Sequence, residues 1–215
     1  MKHLALIALA PLAACATTTV PPTPQDGFWA ALSSHCGKAY EGRLVSDDAR
    51  DADWADKRMI AHWAQCGPRV VAIHFHVEDA DAPQGWNRSR TWLVTRETIE
   101  NAARATTVRL TLKHDHRHAD GGEDAVTQYG GTTELAAGSA QAQDFPIDAE
   151  SIALFRREGL DASLTNVWRL EVDPEGERGA KFAYQLTRRN DPTRRFRVEF
   201  DASEEVDAPP PAWGW

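Results

Sequence analysis

Cysteine is scarce in this chain: Cys15, Cys36 and Cys66 are the only three among 215 residues. That excludes a disulfide-dense scaffold and a four-cysteine zinc site. Long apolar runs are missing too, because the one such stretch, Leu4 to Ala14, falls well short of the ~20 residues of a membrane-spanning helix. Basic residues are outnumbered, 24 Lys and Arg against 32 Asp and Glu, for a formal charge of −8. A surface of that sign repels polyphosphates and argues against a nucleic-acid partner. The motifs of several chemistries are absent as well: there is no GxSxG elbow, HExxH helix, Walker loop or dinucleotide fingerprint. No internal repeat is visible.

What is present begins at the N-terminus. Met1-Lys2-His3 is a short basic head before the apolar run, which has the form of an export signal. The run closes on Leu12-Ala13-Ala14-Cys15, which resembles the lipobox of bacterial lipoproteins: a branched apolar residue, two small ones and the cysteine that takes the lipid. The resemblance implies that residues 1–14 are a signal peptide, that signal peptidase II cuts before Cys15, and that Cys15 becomes an acylated anchor carrying palmitate-type chains in a bilayer of the cell envelope. Two chains suffice for stable anchoring at ~0.8 kcal/mol per buried methylene. Ala16 stands where an Asp would mark inner-membrane retention in Gram-negative lipoproteins, so the outer membrane is expected. Residues 15–26, with the Pro/Thr-rich TTTVPPTPQ, read as a lipidated tether. The remaining pair, Cys36 and Cys66, predicts a disulfide in an oxidising compartment such as the periplasm.

Residues 27–207 then predict one β-rich domain, followed by a Pro/Trp tail over 208–215 whose tryptophans can fold back. Strands are expected over 38–45, 58–65, 69–77, 87–97, 108–118, 124–129, 166–172, 181–187 and 195–201, from alternating apolar residues between turn signals. Phe28 to Leu32 suggests a brief helical turn, the acidic run DDARDADWAD a surface loop or short helix with Trp54 tucked down, and 132–144 a loop. Asp148 to Gly159 is the best helix, capped by Asp148 and ended by Gly159. The fold class is therefore mostly β: an antiparallel up-and-down barrel or sandwich, lipocalin-like in outline, with one short helix.

The unusual chemistry is concentrated in VRLTLKHDHRHADGGEDAVTQYGG, Val108 to Gly131. If the strand phase of Val108, Leu110 and Leu112 continues, His114, His116 and His118 point inward, while Asp115 and Arg117 point outward. HxH on a strand places two imidazoles ~6.5–7 Å apart at Cα, a spacing that suits zinc or iron, whereas three would span ~13 Å. A metal site built on His114 and His116 needs a further ligand, for which His118, His74, His76 and Asp124 are the candidates. Otherwise the imidazoles pin the Asp120-to-Asp124 turn, or with Arg117, Tyr129 and Asp120 bind a polar or anionic group at a barrel mouth. The segment also resembles strings in uncharacterised exported bacterial proteins, which implies no activity. The leading functional expectation is a non-catalytic envelope lipoprotein that binds a small molecule or an envelope protein; the alternatives are a metal-dependent hydrolase on the His114/His116/His118 strand and a structural envelope protein.

Overall fold

The computed structural model describes residues 21–100 and 106–215. The lipobox, Cys15 and the signal segment lie outside the described residues. Ten antiparallel strands follow the chain: β1 Ala39–Leu44, β2 Met59–Cys66, β3 Val70–Glu78, β4 Trp86–Glu100, β5 Thr106–His116, β6 Tyr129–Thr132, β7 Ala142–Pro146, β8 Asn166–Val172, β9 Lys181–Arg188 and β10 Asp191–Glu205. Their order, β6-β5-β4-β3-β2-β1-β10-β9-β8-β7, makes every neighbour along the sheet a neighbour in sequence except the pair β1 and β10. β6 then meets β7 through the single bridge Gly131 to Ile147, and the Asp148 N–H reaches the Gly130 carbonyl at 3.1 Å. The sheet is a nearly closed up-and-down barrel, not a sandwich.

Period-two patterning explains most of this. Phe196, Val198 and Phe200 on β10 and Trp168, Leu170 and Val172 on β8 are buried, while their sequence neighbours are more exposed. β3 is buried on both faces from Val71 to Val77, because the C-terminal tail lies over its outer side.

Three expectations need correcting. The return strand is not 124–129; β6 begins at Tyr129, and Gly130-Gly131 lies within the ladder. A Cβ on Gly130 would sit 1.8 Å from the Leu112 carbonyl oxygen, and one on Gly131 2.1 Å from that of Pro146. These glycines permit the close backbone approach that brings the barrel's ends together. The loop over 132–144 contains the start of β7, whose five residues are too few to display a pattern. The first helix is not one turn and reaches into the segment expected to be a tether: α1 spans Pro24–Ser34, with Thr23 and Asp26 forming a capping box and Pro24 opening the helix. Pro-rich composition and Gly27 hid it. Gly27 is needed where a Cβ would meet that of Ala140 at 2.7 Å.

α1 plugs one end of the barrel with the fully buried Phe28 and Leu32, the Leu32 carbonyl accepting from Trp63 Nε1 at 2.9 Å. Asp26 ties it to Arg96 on β4 at 2.5 Å. The second helix, α2 Ala149–Arg157, is capped by Asp148 as expected, so the described residues hold two α-helices in place of one. Beyond α1 the chain turns into β1 and is locked to the end of β2 by the Cys36–Cys66 disulfide, 30 residues apart.

Closing a loop of that length stabilises by about 3–4 kcal/mol in the chain-entropy model. A Cys36→Ser/Cys66→Ser variant should lose that amount in urea unfolding; an unchanged midpoint would show that the α1 plug is held by packing alone.

Candidate functional site

Strand pairing assigns each candidate side chain to the inside or the outside of the barrel. Phe75 is aligned with Arg90 and Arg90 with His116; two residues along, Ile73 is aligned with Trp92 and Trp92 with His114. These face the interior. The intervening row runs His62, His74, Thr91, Asp115 across β2, β3, β4 and β5, and faces outward.

Arg96, bound to the α1 plug, is aligned with Leu110, whereas Arg90 and His116 sit toward the other end of the same strands. That other end is open. It holds a cavity of about 240 Å³, walled by Trp54, Phe75, Trp92, Tyr184, Leu186 and Phe196 and edged by Arg90, His114, His116, Tyr129 and the paired Asp51 and Arg194. Trp54, Phe75, Trp92 and Tyr184 follow one another as near-parallel rings, each plane within 16° of the next. Trp54 comes from a 3-10 turn over Ala49–Trp54, anchored where Arg194 pairs with Asp48 at 2.9 Å and grips Asp51 through both terminal nitrogens. A larger depression of about 570 Å³ lies on the outer surface beside Glu41 and Arg58, which pair with each other at 2.5 Å. It has charged walls and none of the converging aromatics.

His114 is 2% exposed, and both of its ring nitrogens are engaged: Nδ1–H donates to the Tyr129 carbonyl at 3.0 Å, while Nε2 accepts from the Tyr184 hydroxyl at 2.9 Å. Tyr129 stacks on the His114 ring at 4.7 Å, and its hydroxyl meets His116 Nε2 at 3.2 Å. Burial holds His114 down to about 3 and His116, with help from Arg90, to about 4. Both imidazoles are neutral at neutral pH. Burial pushes the Tyr129 phenol up to about 12. Arg90 differs from Arg194: its guanidinium lies 5.1 Å over Trp54 and bonds Ser89 Oγ at 3.0 Å, with no carboxylate partner among the described residues. Burial lowers its pKa, as expected for a cation without an ion pair.

The candidate metal set divides between the two faces. His114 and His116 are inside, whereas His74 and His76 are outside, with the backbone of the sheet between the pairs. His118 is exposed beyond β5, and Asp124 bonds the Val126 N–H at 2.9 Å. No four of these residues converge. Of the candidate ligand binders, Tyr129 lines the mouth, but Arg117 points outward to Asp115 at 3.0 Å and Asp120 is exposed, bonding the Gly122 N–H. Sequence reasoning missed Arg90, which shares its strand phase with Trp92, and it missed His62, which the β2–β3 hairpin sets opposite His74.

Outside, His62, His74 and His76 present ring nitrogens within 4.8 Å of one another. His76 is fully buried and, among the described residues, neither of its nitrogens has a hydrogen-bond partner; His74 Nε2 and His62 Nδ1 have none there either. Each such atom costs about 1–3 kcal/mol if nothing satisfies it. The tail covers this face: the Ala212 N–H donates to His74 Nδ1 at 3.2 Å, and Trp215 Nε1 donates to the buried Asp115 at 3.1 Å.

A histidine with a depressed pKa leaves stability intact above its unfolded value of ~6.5 and erodes it as pH falls toward the folded value, because the unfolded chain takes the proton first. For His114 this amounts to about 2 kcal/mol by pH 5. The melting temperature should fall between pH 7 and 5, and fall less in a His114→Asn variant; equal slopes would mean that His114 titrates freely in the folded state. No family model, curated protein or solved structure matches the chain, so its own residues must support a function.

Proposed function

We propose that this protein is a lipid-anchored envelope lipoprotein whose barrel mouth binds a small molecule with a flat apolar body and an anionic group, without catalysing its conversion. The observation that carries this reading is Arg90: a guanidinium at an aromatic-walled cavity, lacking a carboxylate of its own. Holding a cation away from water without a partner is costly, and a bound anion with bidentate geometry supplies the missing charge. The near-parallel rings offer flat faces, and a volume of about 240 Å³ is below the ~300–1,000 Å³ of drug-sized sites, which favours a small ligand. The neutral His114 and the Tyr184 hydroxyl satisfy each other, which suits a binding wall better than proton transfer.

The lipobox and the short apolar run support the anchor, and the Cys36–Cys66 bond suits an oxidising compartment. The chain enters the plugged end of the barrel at Thr23, eight residues beyond Cys15. A lipid there would set the plug toward the bilayer and the mouth away from it.

Two measurements test this reading. Titration with 1-naphthoate should quench tryptophan emission saturably, with affinity at least tenfold above that of the neutral 1-naphthamide, and Arg90→Gln should abolish the preference while keeping the fold. Equal binding of acid and amide by the unmodified protein would remove the anion site and leave a structural role. Separately, Cys15→Ala expressed in a bacterial host should lose palmitate labelling and leave the membrane fraction; unchanged labelling would rule out Cys15 as the lipidated residue.

A further inference from the structure

The outer-face histidines take no part in the mouth. We propose that His62, His74 and His76 form a binding site for a first-row divalent cation, zinc in the first instance, and that loading this site frees the C-terminal tail from His74. Three imidazoles from two central strands bring their nitrogens within 4.8 Å of one another. Around a tetrahedral zinc with bonds of 2.0–2.1 Å, nitrogens lie ~3.4 Å apart, so rotation of the rings by up to ~1.5 Å at the nitrogen completes the set. Four ring nitrogens here lack hydrogen-bond partners among the described residues, which is the condition a metal would relieve. No carboxylate belongs to the cluster, and Arg88 stands nearby, bonding the Pro211 carbonyl at 2.8 Å. Imidazole donors without carboxylates select zinc, copper or nickel over magnesium and calcium. Three ligands leave a fourth position, and the partly exposed His62 is the side from which water or another ligand can reach it.

The coupling to the tail follows from the chemistry of one ring. His74 Nδ1 accepts the Ala212 N–H, which uses its lone pair. A metal bound at Nδ1 takes that lone pair directly. A metal bound at Nε2 requires the ring proton to sit on Nδ1, which then faces the Ala212 N–H as a second donor. Either way the bond between tail and ring must break. Trp215, whose ring lies 5.4 Å from that of His74, is placed to report the change.

The test is a cobalt(II) titration of the purified full chain, followed by zinc displacement. One equivalent should bind with the intense visible bands of tetrahedral cobalt, be lost in His62→Ala, and persist in the inner-face variant His114→Asn. Because His62 is partly exposed, its variant should keep cooperative unfolding; His62→Gln serves the same purpose if it does not. Hydrogen exchange at the Ala212 amide should speed up at least tenfold when zinc is bound. Absence of tetrahedral bands, or binding that survives both His62→Ala and His74→Ala, overturns the site. Unchanged protection of Ala212 in the loaded protein overturns the release of the tail. Neither result depends on whether 1-naphthoate binds at the mouth.

Discussion

Closure of the sheet at the β6–β7 seam is the constraint on which the mouth depends. An open edge would leave unpaired backbone groups and let the interior drain to solvent. Here the seam has one bridge and is reinforced from outside: the Gly130 N–H donates to Ser151 Oγ at 2.7 Å, and Lys113 of β5 pairs with the helix-capping Asp148 at 2.7 Å. Helix α2 thus clamps the first half of the barrel to the second. Its Phe155 packs on Tyr129 at 5.1 Å, and Tyr129 stacks on His114, so the clamp also sets the floor of the cavity.

The parts legible in the sequence were those governed by local periodicity. Alternation identified most of the strands, and continuing the phase of Leu110 and Leu112 correctly turned His114 and His116 inward. Asp148 and Gly159 marked helix α2 because capping chemistry is local. What escaped depended on partners distant in the chain. Gly130-Gly131 carries the same composition as a turn, and only the approach of Leu112 and Pro146 shows why the side chains are missing. Asp115 read as solvent-facing because the cover supplied by Trp215 lies 100 residues away. His62 stands alone in MIAHWAQC; it joins His74 only through the hairpin register.

The two histidine groups show how neighbours decide what an imidazole does. His114 has a carbonyl acceptor on one nitrogen and a phenolic donor on the other, a complete set that fixes its tautomer and leaves no lone pair for a metal. His76 is as deeply buried and has neither. Identical residues on β5 and β3, with β4 between them, therefore serve opposite ends: one closes a network, the other leaves donors and acceptors in need of something.

The same burial that neutralises the histidines determines which group can attract an anion. Imidazoles held near 3 and 4 carry no charge near neutral pH. Arg194 is charged but is committed to Asp48 and Asp51, where it holds the Trp54 turn in place. That leaves Arg90, whose guanidinium starts from so high a pKa that desolvation does not discharge it near neutrality. In a chain with a formal charge of −8, an anion reaches such a cation only by moving against the long-range field of the surface. Screening by salt weakens that repulsion more than it weakens the short-range pair inside the mouth. An arginine without an ion pair among the described residues of an acidic protein therefore supports the proposed ligand, whose apolar body would bring it to the aromatic wall while the guanidinium sets which end enters first.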